Sequence, residues 1–372
     1  MQGVPPGGRV SDYEYDLPSG RIARYPAERR DESRLLVVPR QPGVGEGREG
    51  REAELGGGAR PFRHLRFRDL VELVRPGDVL VVNESRVIPA RLLGRKPTGA
   101  TSEILLLRPT ADADPADPRT WEALVRPGGK LKPGRRVVVA DDLAVEILDS
   151  TAGGGRVVRL EGPGRALDAL ERHGHVPLPP YLEREDEPLD RERYQTVYAR
   201  TPGSIAAPTA GLHFTPELLV ALDARGVRRV EVILEVGIGT FRPVEEDDPA
   251  AHEMHPERWA VAPAAAAEIN RARASGGRCW AVGTTVVRTL ESAADERGVI
   301  RPGAGATRLF IRPPYRFRAV DALITNFHLP RSTLLMLVAA FTGYERVMEA
   351  YRVAVREGYR FYSYGDAMAV VP

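Results

Sequence analysis

The sequence predicts an α/β protein: a mostly parallel sheet with helices on both faces, interrupted by an inserted small β-barrel domain. Three observations carry this expectation. The stretches at 79–82, 230–236, 279–282 and 319–324 read as short strands, and 79–82 is continuously apolar, as strands buried on both faces are. Helical periods separate the later runs, as crossover connections require. Between 91 and 160 the pattern changes to short strands parted by Gly, Pro and Asp clusters, which suggests a closed or partly open barrel.

Taken in order, residues 1–10 are Gly/Pro-rich and read as a frayed end. Leu35-Leu36-Val37-Val38 follow as a strand. Residues 39–61 are Gly, Glu and Arg with almost no apolar content, the composition of a disordered insertion. A short amphipathic helix from Phe67 meets the turn Pro76-Gly77-Asp78, and the strand at 79–82 ends on Asn83. The barrel unit is placed at 84–177, with strands at 91–94, 102–107, 120–125, 136–139, 143–148 and 156–160 and a short helix at 166–173. The α/β domain is therefore discontinuous, 1–83 and 178–372.

In its second part Thr215 caps a helix with Pro216 at its first position, and Gly226 stops it. Pro263 opens an Ala-rich helix to about 274, and a helix is expected at 286–297. Ser332-Thr333 caps an apolar, buried helix, and an amphipathic one runs 344–356. The last strand is expected at 360–364, with Gly365-Asp366 at its end.

At 372 residues the chain accommodates about two domains with real cores. Hydrophobic content of 42% and charged content of 28% are those of a soluble globular protein. A net charge of +2 means that any footprint for a polyanion is local. The single cysteine, Cys279, excludes an intrachain disulfide framework and a Cys-based zinc cluster, and its strand context reads as a buried, inert thiol. No basic-then-apolar leader opens the sequence, and its longest apolar run, 334–341, is far shorter than the roughly 20 residues of a membrane span. The expectation is a cytoplasmic protein with no membrane contact.

Polar groups recur at strand ends: Asn83, 237–240, 283–285, 326–328 and 364–366. Parallel sheets bind ligands outside the carboxyl ends of their strands, so a cleft there is the expected site. Gly283-Thr284-Thr285 opens a helix, where free amides and two hydroxyls suit a carboxylate; a capped helix with no ligand is the alternative. It is neither a P-loop nor a dinucleotide fingerprint. Arg288 and Glu291, one turn apart, can simply pair. Gly237-Ile238-Gly239 permits close backbone approach, with Thr240 and Arg242 following. His213 and His328 each stand beside a Phe in a strand-end loop and are the acid/base candidates, a structural hydrogen-bonded His being the alternative for either. His252-Glu253-Met254-His255 has the wrong spacing for a zinc-protease helix, so no metal site is expected. Arg86, Arg91, Arg95, Lys96 and the 126–136 run place basic groups in the barrel that can hold phosphates or remain a solvated loop. Two other classes stay open on these residues: a non-catalytic RNA-binding protein and a metal hydrolase using His213, His252 and His255.

The segments that carry a resemblance are Tyr15-Asp16-Leu17-Pro18, Asn83 with Ser85-Arg86-Val87-Ile88-Pro89-Ala90-Arg91, and Pro177-Leu178-Pro179-Pro180-Tyr181. Then come Tyr194-Gln195-Thr196-Val197-Tyr198-Ala199, Ala207-Pro208-Thr209-Ala210-Gly211-Leu212-His213-Phe214 and Gly237-Ile238-Gly239-Thr240-Phe241. Last are Val282-Gly283-Thr284-Thr285 through Glu291-Ser292, Thr325-Asn326-Phe327-His328-Leu329-Pro330, and Tyr362-Ser363-Tyr364-Gly365-Asp366-Ala367-Met368. With these, in this order, the chain resembles the S-adenosylmethionine:tRNA ribosyltransferase-isomerases of queuosine biosynthesis. The resemblance implies an α/β domain interrupted by a β-barrel. It implies transfer and isomerisation of the ribosyl moiety of S-adenosylmethionine onto 7-aminomethyl-7-deazaguanine at the tRNA wobble position. The products are epoxyqueuosine-tRNA, adenine and methionine.

S-adenosylmethionine would be a co-substrate, with no prosthetic group, and the expected state is a monomer. His213, His328 and Asp366 are then the catalytic candidates. Asn83, Arg86, Arg91, Thr209, Gly237, Gly239, Thr240, Gly283, Thr284, Thr285, Arg288, Glu291, Asn326 and Tyr364 are the substrate-binding candidates. The chain departs from the family at Glu235, where such proteins usually carry a His before the Val-Gly, and in a longer 39–61 insertion.

Overall fold

Strand β1 (Arg34–Pro39) is followed by β2 (Arg63–Arg66), helix α1 (Leu70–Leu73), β3 (Val79–Asn83) and β4 (Ser85–Val87). The computed structural model describes residues 5–41, 44, 60–151, 153–237, 244 and 246–372, so most of the expected 39–61 insertion lies outside the described residues. Next come β5 (Arg91–Arg95), β6 (Thr101–Pro109), β7 (Thr120–Arg126), β8 (Arg136–Ala140), β9 (Leu143–Ser150) and β10 (Arg156–Glu161). These six strands close into a barrel in the order β10-β7-β6-β5-β8-β9. Helices α2 (Ala166–His173) and α3 (Asp190–Arg193) and strand β11 (Thr201–Ser204) lead back to the sheet. There the chain forms α4 (Pro216–Ala224), β12 (Arg228–Leu234), β13 (Glu257–Val261), α5 (Pro263–Ala274), β14 (Cys279–Val282), α6 (Thr284–Ala293) and β15 (Gly303–Thr307). It ends with β16 (Ala322–Asn326), α7 (Thr333–Thr342), α8 (Tyr344–Arg356) and β17 (Ala367–Val371).

The large sheet has nine strands among the described residues, in the order β15-β13-β12-β3-β14-β16-β17-β1-β2. It is mixed where a mostly parallel sheet was expected. Neighbours β12–β3, β3–β14, β14–β16 and β17–β1 run parallel, and β15–β13, β13–β12, β16–β17 and β1–β2 run antiparallel. One helix between two strands returns the chain to the starting edge and gives a parallel pair. Between β16 and β17 there are two, α7 and α8, so the chain re-enters at the edge it had just left. β17 then runs antiparallel to β16.

Side chains alternate across the sheet as the pleat requires. Val79, Val81, Val230, Val232, Ala281 and Leu323 enter the core that includes residues of α5, α6, α7 and α8. Leu80, Val82, Trp280, Val282, Ala322 and Ile324 face the other way, against Leu70 of α1 and Leu218, Leu219 and Leu222 of α4. Burial on both faces explains why 79–82 in β3 and 279–282 in β14 read as unbroken apolar runs. The barrel has its own core, centred on Leu92, Ile104, Leu106, Trp121, Val137, Val145, Ile147 and Val158. Cys279 is fully buried, and burial pushes its thiol up, so it carries no thiolate at neutral pH.

Thr215 caps α4 as its sequence requires, its Oγ1 accepting from the Leu218 amide at 3.2 Å. Replacing Thr215 by Ala is expected to cost about 1 kcal/mol, read as a lower denaturant midpoint with an unchanged slope.

Candidate active site

The topology gathers one edge of the large sheet. The carboxyl ends of β12, β3, β14 and β16 lie there because those four strands are parallel. The starts of β17 and β1 lie there too, because β17 opposes β16, with Ala367 beside Asn326, and β1 follows β17. The segment before β17 therefore reaches the site by the reverse of the expected route. Residues 360–364 are not a strand: Phe361 makes an isolated bridge, Tyr362 has φ 69°, and 365–366 lie just before the strand rather than at its end.

Two contacts pack this edge, the second of them tight. Gly283 closes β14 with φ 92°, and a Cβ there would lie 3.6 Å from the Ala210 Cβ. Gly211, within the short turn Thr209–His213, would place a Cβ 2.2 Å from the Tyr198 hydroxyl oxygen. The turn that carries Thr209 and His213 is thus seated directly on the loop that opens α6.

His213 is 4% exposed and both of its ring nitrogens are engaged. The Asn326 amide donates to Nε2 at 3.1 Å. Nδ1 then carries the proton and donates to Ser33 Oγ at 2.7 Å, and that hydroxyl donates to the Arg30 carbonyl at 3.1 Å. Phe67 stacks on the ring at 5.0 Å. Burial, with Arg360 and Arg30 nearby, lowers the imidazole to about 3, so it is neutral at pH 7. The recess beside it, lined among others by Arg30, Ser33, Arg193, Ser363 and Tyr364, holds about 10 Å³, no more than one water.

His328 is held differently. Its Nε2 bonds Thr325 Oγ1 at 2.8 Å, its amide donates to the Tyr351 hydroxyl at 2.9 Å, and its carbonyl accepts from Tyr15 at 2.5 Å. Burial lowers this imidazole to about 3 as well. Nδ1 takes part in none of these bonds.

Asp366 spends both oxygens on backbone: Oδ1 accepts from the Arg34 amide and Oδ2 from the Arg360 amide, each at 2.8 Å. It straps the start of β1 to the turn at 360–365. Asn83 does the same on the far side, exchanging bonds of 2.9 and 3.1 Å with both backbone groups of Leu234 and accepting from the Ser85 amide. The Tyr364 hydroxyl donates to Asp190 at 2.7 Å, and Asp190 is fixed by Arg184. In Asn326 the side-chain oxygen is buried with no hydrogen-bond donor, while its nitrogen also donates to the Tyr362 carbonyl at 3.0 Å.

Helix α6 starts at Thr284, two residues before its expected start, and it buries Thr284, Thr285, Arg288, Thr289 and Glu291 beside the apolar face it gives to the core. Arg288 and Glu291 do not pair with each other. Arg288 Nη1 meets Glu257, at the start of β13, and the Glu291 carboxylate accepts from the amides of Arg318 and Ala319 at 3.0–3.1 Å. Glu257 also accepts from the Gly237 amide at 3.3 Å. Gly239, Thr240 and Arg242 lie outside the described residues. Arg86 pairs with Glu171 at 3.0 Å, and Arg91 with Glu103 at 2.9 Å and Glu185 at 2.5 Å, so these candidates are committed to carboxylates of the barrel side and the segment after it. Glu235 is half-buried, and burial raises its carboxyl above the usual range.

Four residues of the site gave no signal of their own. Ser33 and Glu257 orient His213 and Arg288 from distant elements. Thr325 and Tyr351 fix His328. Only Thr325 lay inside a motif that sequence reasoning had singled out.

A large mixed sheet with helices, a closed six-stranded barrel, and a buried polar edge where seven segments meet define the chain as an α/β protein with a barrel. The chain belongs to the family described as queuosine biosynthesis protein, which matches residues 10–370. It is 54% identical over 366 residues to an S-adenosylmethionine:tRNA ribosyltransferase-isomerase of Symbiobacterium thermophilum, covering 98% of this chain and 100% of that protein. It is 54% identical over 369 residues to the protein of that name in Thermus thermophilus, covering 96% and 98%. Its fold is similar to the crystal structure of the S-adenosylmethionine tRNA ribosyltransferase of Thermotoga maritima, at 37% identity and TM-score 0.51, covering 96% and 99%.

Proposed function

We propose that this chain transfers and isomerises the ribosyl moiety of S-adenosylmethionine onto 7-aminomethyl-7-deazaguanine at the wobble position of tRNA. The products are epoxyqueuosine-tRNA, adenine and methionine. The observation that carries the reading is the full-length match, near 54% identity, to relatives with that name. S-adenosylmethionine is a co-substrate, and the working form is a cytoplasmic monomer. Among the described residues no helix is long and apolar enough to cross a membrane. Residues 84–177 act as the inserted unit, and the remainder as the catalytic one.

The sulfonium acidifies the adjacent ribose 5′ carbon, and a base removes that proton. Adenine leaves, the tRNA-borne amine attacks the sugar, and epoxide formation expels methionine. His328 is the base, because its Nδ1 is not committed to Thr325, whereas His213 has both nitrogens engaged. His213 is a positioning residue that aims Asn326, whose free oxygen can accept from a ribose hydroxyl or the amine. Asp366 and Asn83 support the edge from behind. The amides and hydroxyls of 283–285 take the negative end of the donor.

The test is incubation of the protein with S-adenosylmethionine labelled in its methionine part and precursor-bearing tRNA. Free methionine is expected to appear in amounts equal to the modified tRNA, and none without that tRNA. Methionine release that ignores the tRNA would remove the reading. The rate is expected to be unchanged by a strong chelator, measured in the same assay.

A further inference from the structure

Arg288 is a buried cation with two of its three guanidinium nitrogens unmet. The residue is 2% exposed, and its Nη1 faces the Glu257 carboxylate. Nε and Nη2 are buried with no hydrogen-bond acceptor among the described residues. One turn earlier on α6, the Thr285 Oγ1 is in the same state. Nε and Nη2 form the side-on edge of the guanidinium plane, and two parallel N–H groups on one edge are what grips a carboxylate bidentately. Unmet buried donors are costly, so such a pair persists in a fold where a ligand completes it. The amides of Thr284 and Thr285 precede the first intrahelical acceptor and add positive potential at the same helix end.

We propose that Arg288 and Thr285 form the receptor for an α-amino-acid carboxylate, with Glu257 the positioning residue that fixes the guanidinium so that its side-on edge stays free. This rests on the reading that the donor is S-adenosylmethionine, whose amino-acid end carries that group. Glu257 supplies the second point of support: it holds Nη1 while its other oxygen is tied to the Gly237 amide at 3.3 Å, which prevents the pair from rotating as a unit. Lysine at position 288 would keep the charge and lose the fork. Methionine, the product that retains the carboxylate, competes with the donor at this receptor.

Calorimetry on the full chain without tRNA tests this, comparing S-adenosylmethionine with its decarboxylated analogue, which keeps the sulfonium and the adenine. The analogue is expected to bind at least about 100-fold more weakly, because it leaves the buried donors unmet. Free methionine is expected to compete with the donor. Arg288→Lys and Glu257→Gln are each expected to shrink the gap between the two ligands to about tenfold or less, and Glu257→Asp to keep more of it, with melting temperature followed in parallel. Equal binding of both ligands by the unaltered chain overturns the receptor while methionine release with tRNA still supports the activity. A gap unchanged in a folded Glu257→Gln protein overturns the positioning role. No donor binding and no methionine release remove the activity and the receptor together. The comparison on the unaltered chain and the methionine competition decide the receptor even if every variant fails to fold.

Discussion

His328→Ala is expected to lower the single-turnover rate by about 10²–10⁴, the contribution of a positioned general base. The imidazole is neutral at pH 7 because burial lowers it to about 3, so its lone pair is available throughout the working range. Consequently the rate of the unaltered protein is expected to show no acid limb near 6.5 from this group. His213→Ala is also expected to slow the reaction, by a different route. Its Nε2 holds the Asn326 amide and its Nδ1 holds Ser33, so its loss frees Asn326 to rotate. Added imidazole separates the two roles. It is expected to restore part of the rate to His328→Ala, where a base is missing, and none to His213→Ala, where an anchor is missing. Rescue of the His213 variant alone would exchange the two assignments. Full rate in both would end the case for either histidine.

What the sequence made legible follows from how local the physics is. Strand β14 and helices α5 and α8 run between the residues expected because an unbroken apolar run, Pro263 at a helix start and a strong amphipathic stripe are signals carried within each segment. The barrel strands are legible for the same reason, each an alternating run between turn residues. The strand expected at 360–364 failed because Arg-Phe-Tyr-Ser-Tyr has strand-forming residues in a segment that tertiary contacts bend. Gly365 is pressed against the Arg360 carbonyl, where a Cβ would lie 2.5 Å away, and Asp366 ties the turn shut. β13 and the edge strand β15 were missed because their patterns are weak, Gly-Ala-Gly-Ala-Thr in the second case. In the site, the motif positions were legible and their partners were not. Glu257 sits just beyond a His-rich run that drew notice for the wrong chemistry. Its pairing with Arg288 depends on the register of β13 against β12, which no local pattern encodes.

The same two histidines set an expected acid sensitivity for the fold. Both are lowered to about 3 in the folded chain by burial, from an ordinary value of 6.5. Between those values the unfolded chain binds two protons that the folded chain does not. Unfolding is therefore favoured as pH falls, and stability rises with pH until about 6.5, above which neither state is charged. Each group contributes up to about 1.4 kcal/mol per pH unit in that window, so the pair costs roughly 3 kcal/mol on going from pH 6.5 to 5. That is a large part of the few to fifteen kcal/mol that ordinarily holds a domain together. Urea midpoints at a series of pH values are expected to fall steeply over this range. Replacing either ring by a neutral isostere, as in His328→Gln, is expected to lower stability at pH 7.5 through lost packing and yet to halve the slope below 6.5. The acid dependence thus reads out the neutral, buried state of the imidazoles without any substrate. A midpoint that is flat from 6.5 to 5 would mean that both rings are already protonated in the fold, and a protonated His328 could not serve as a base.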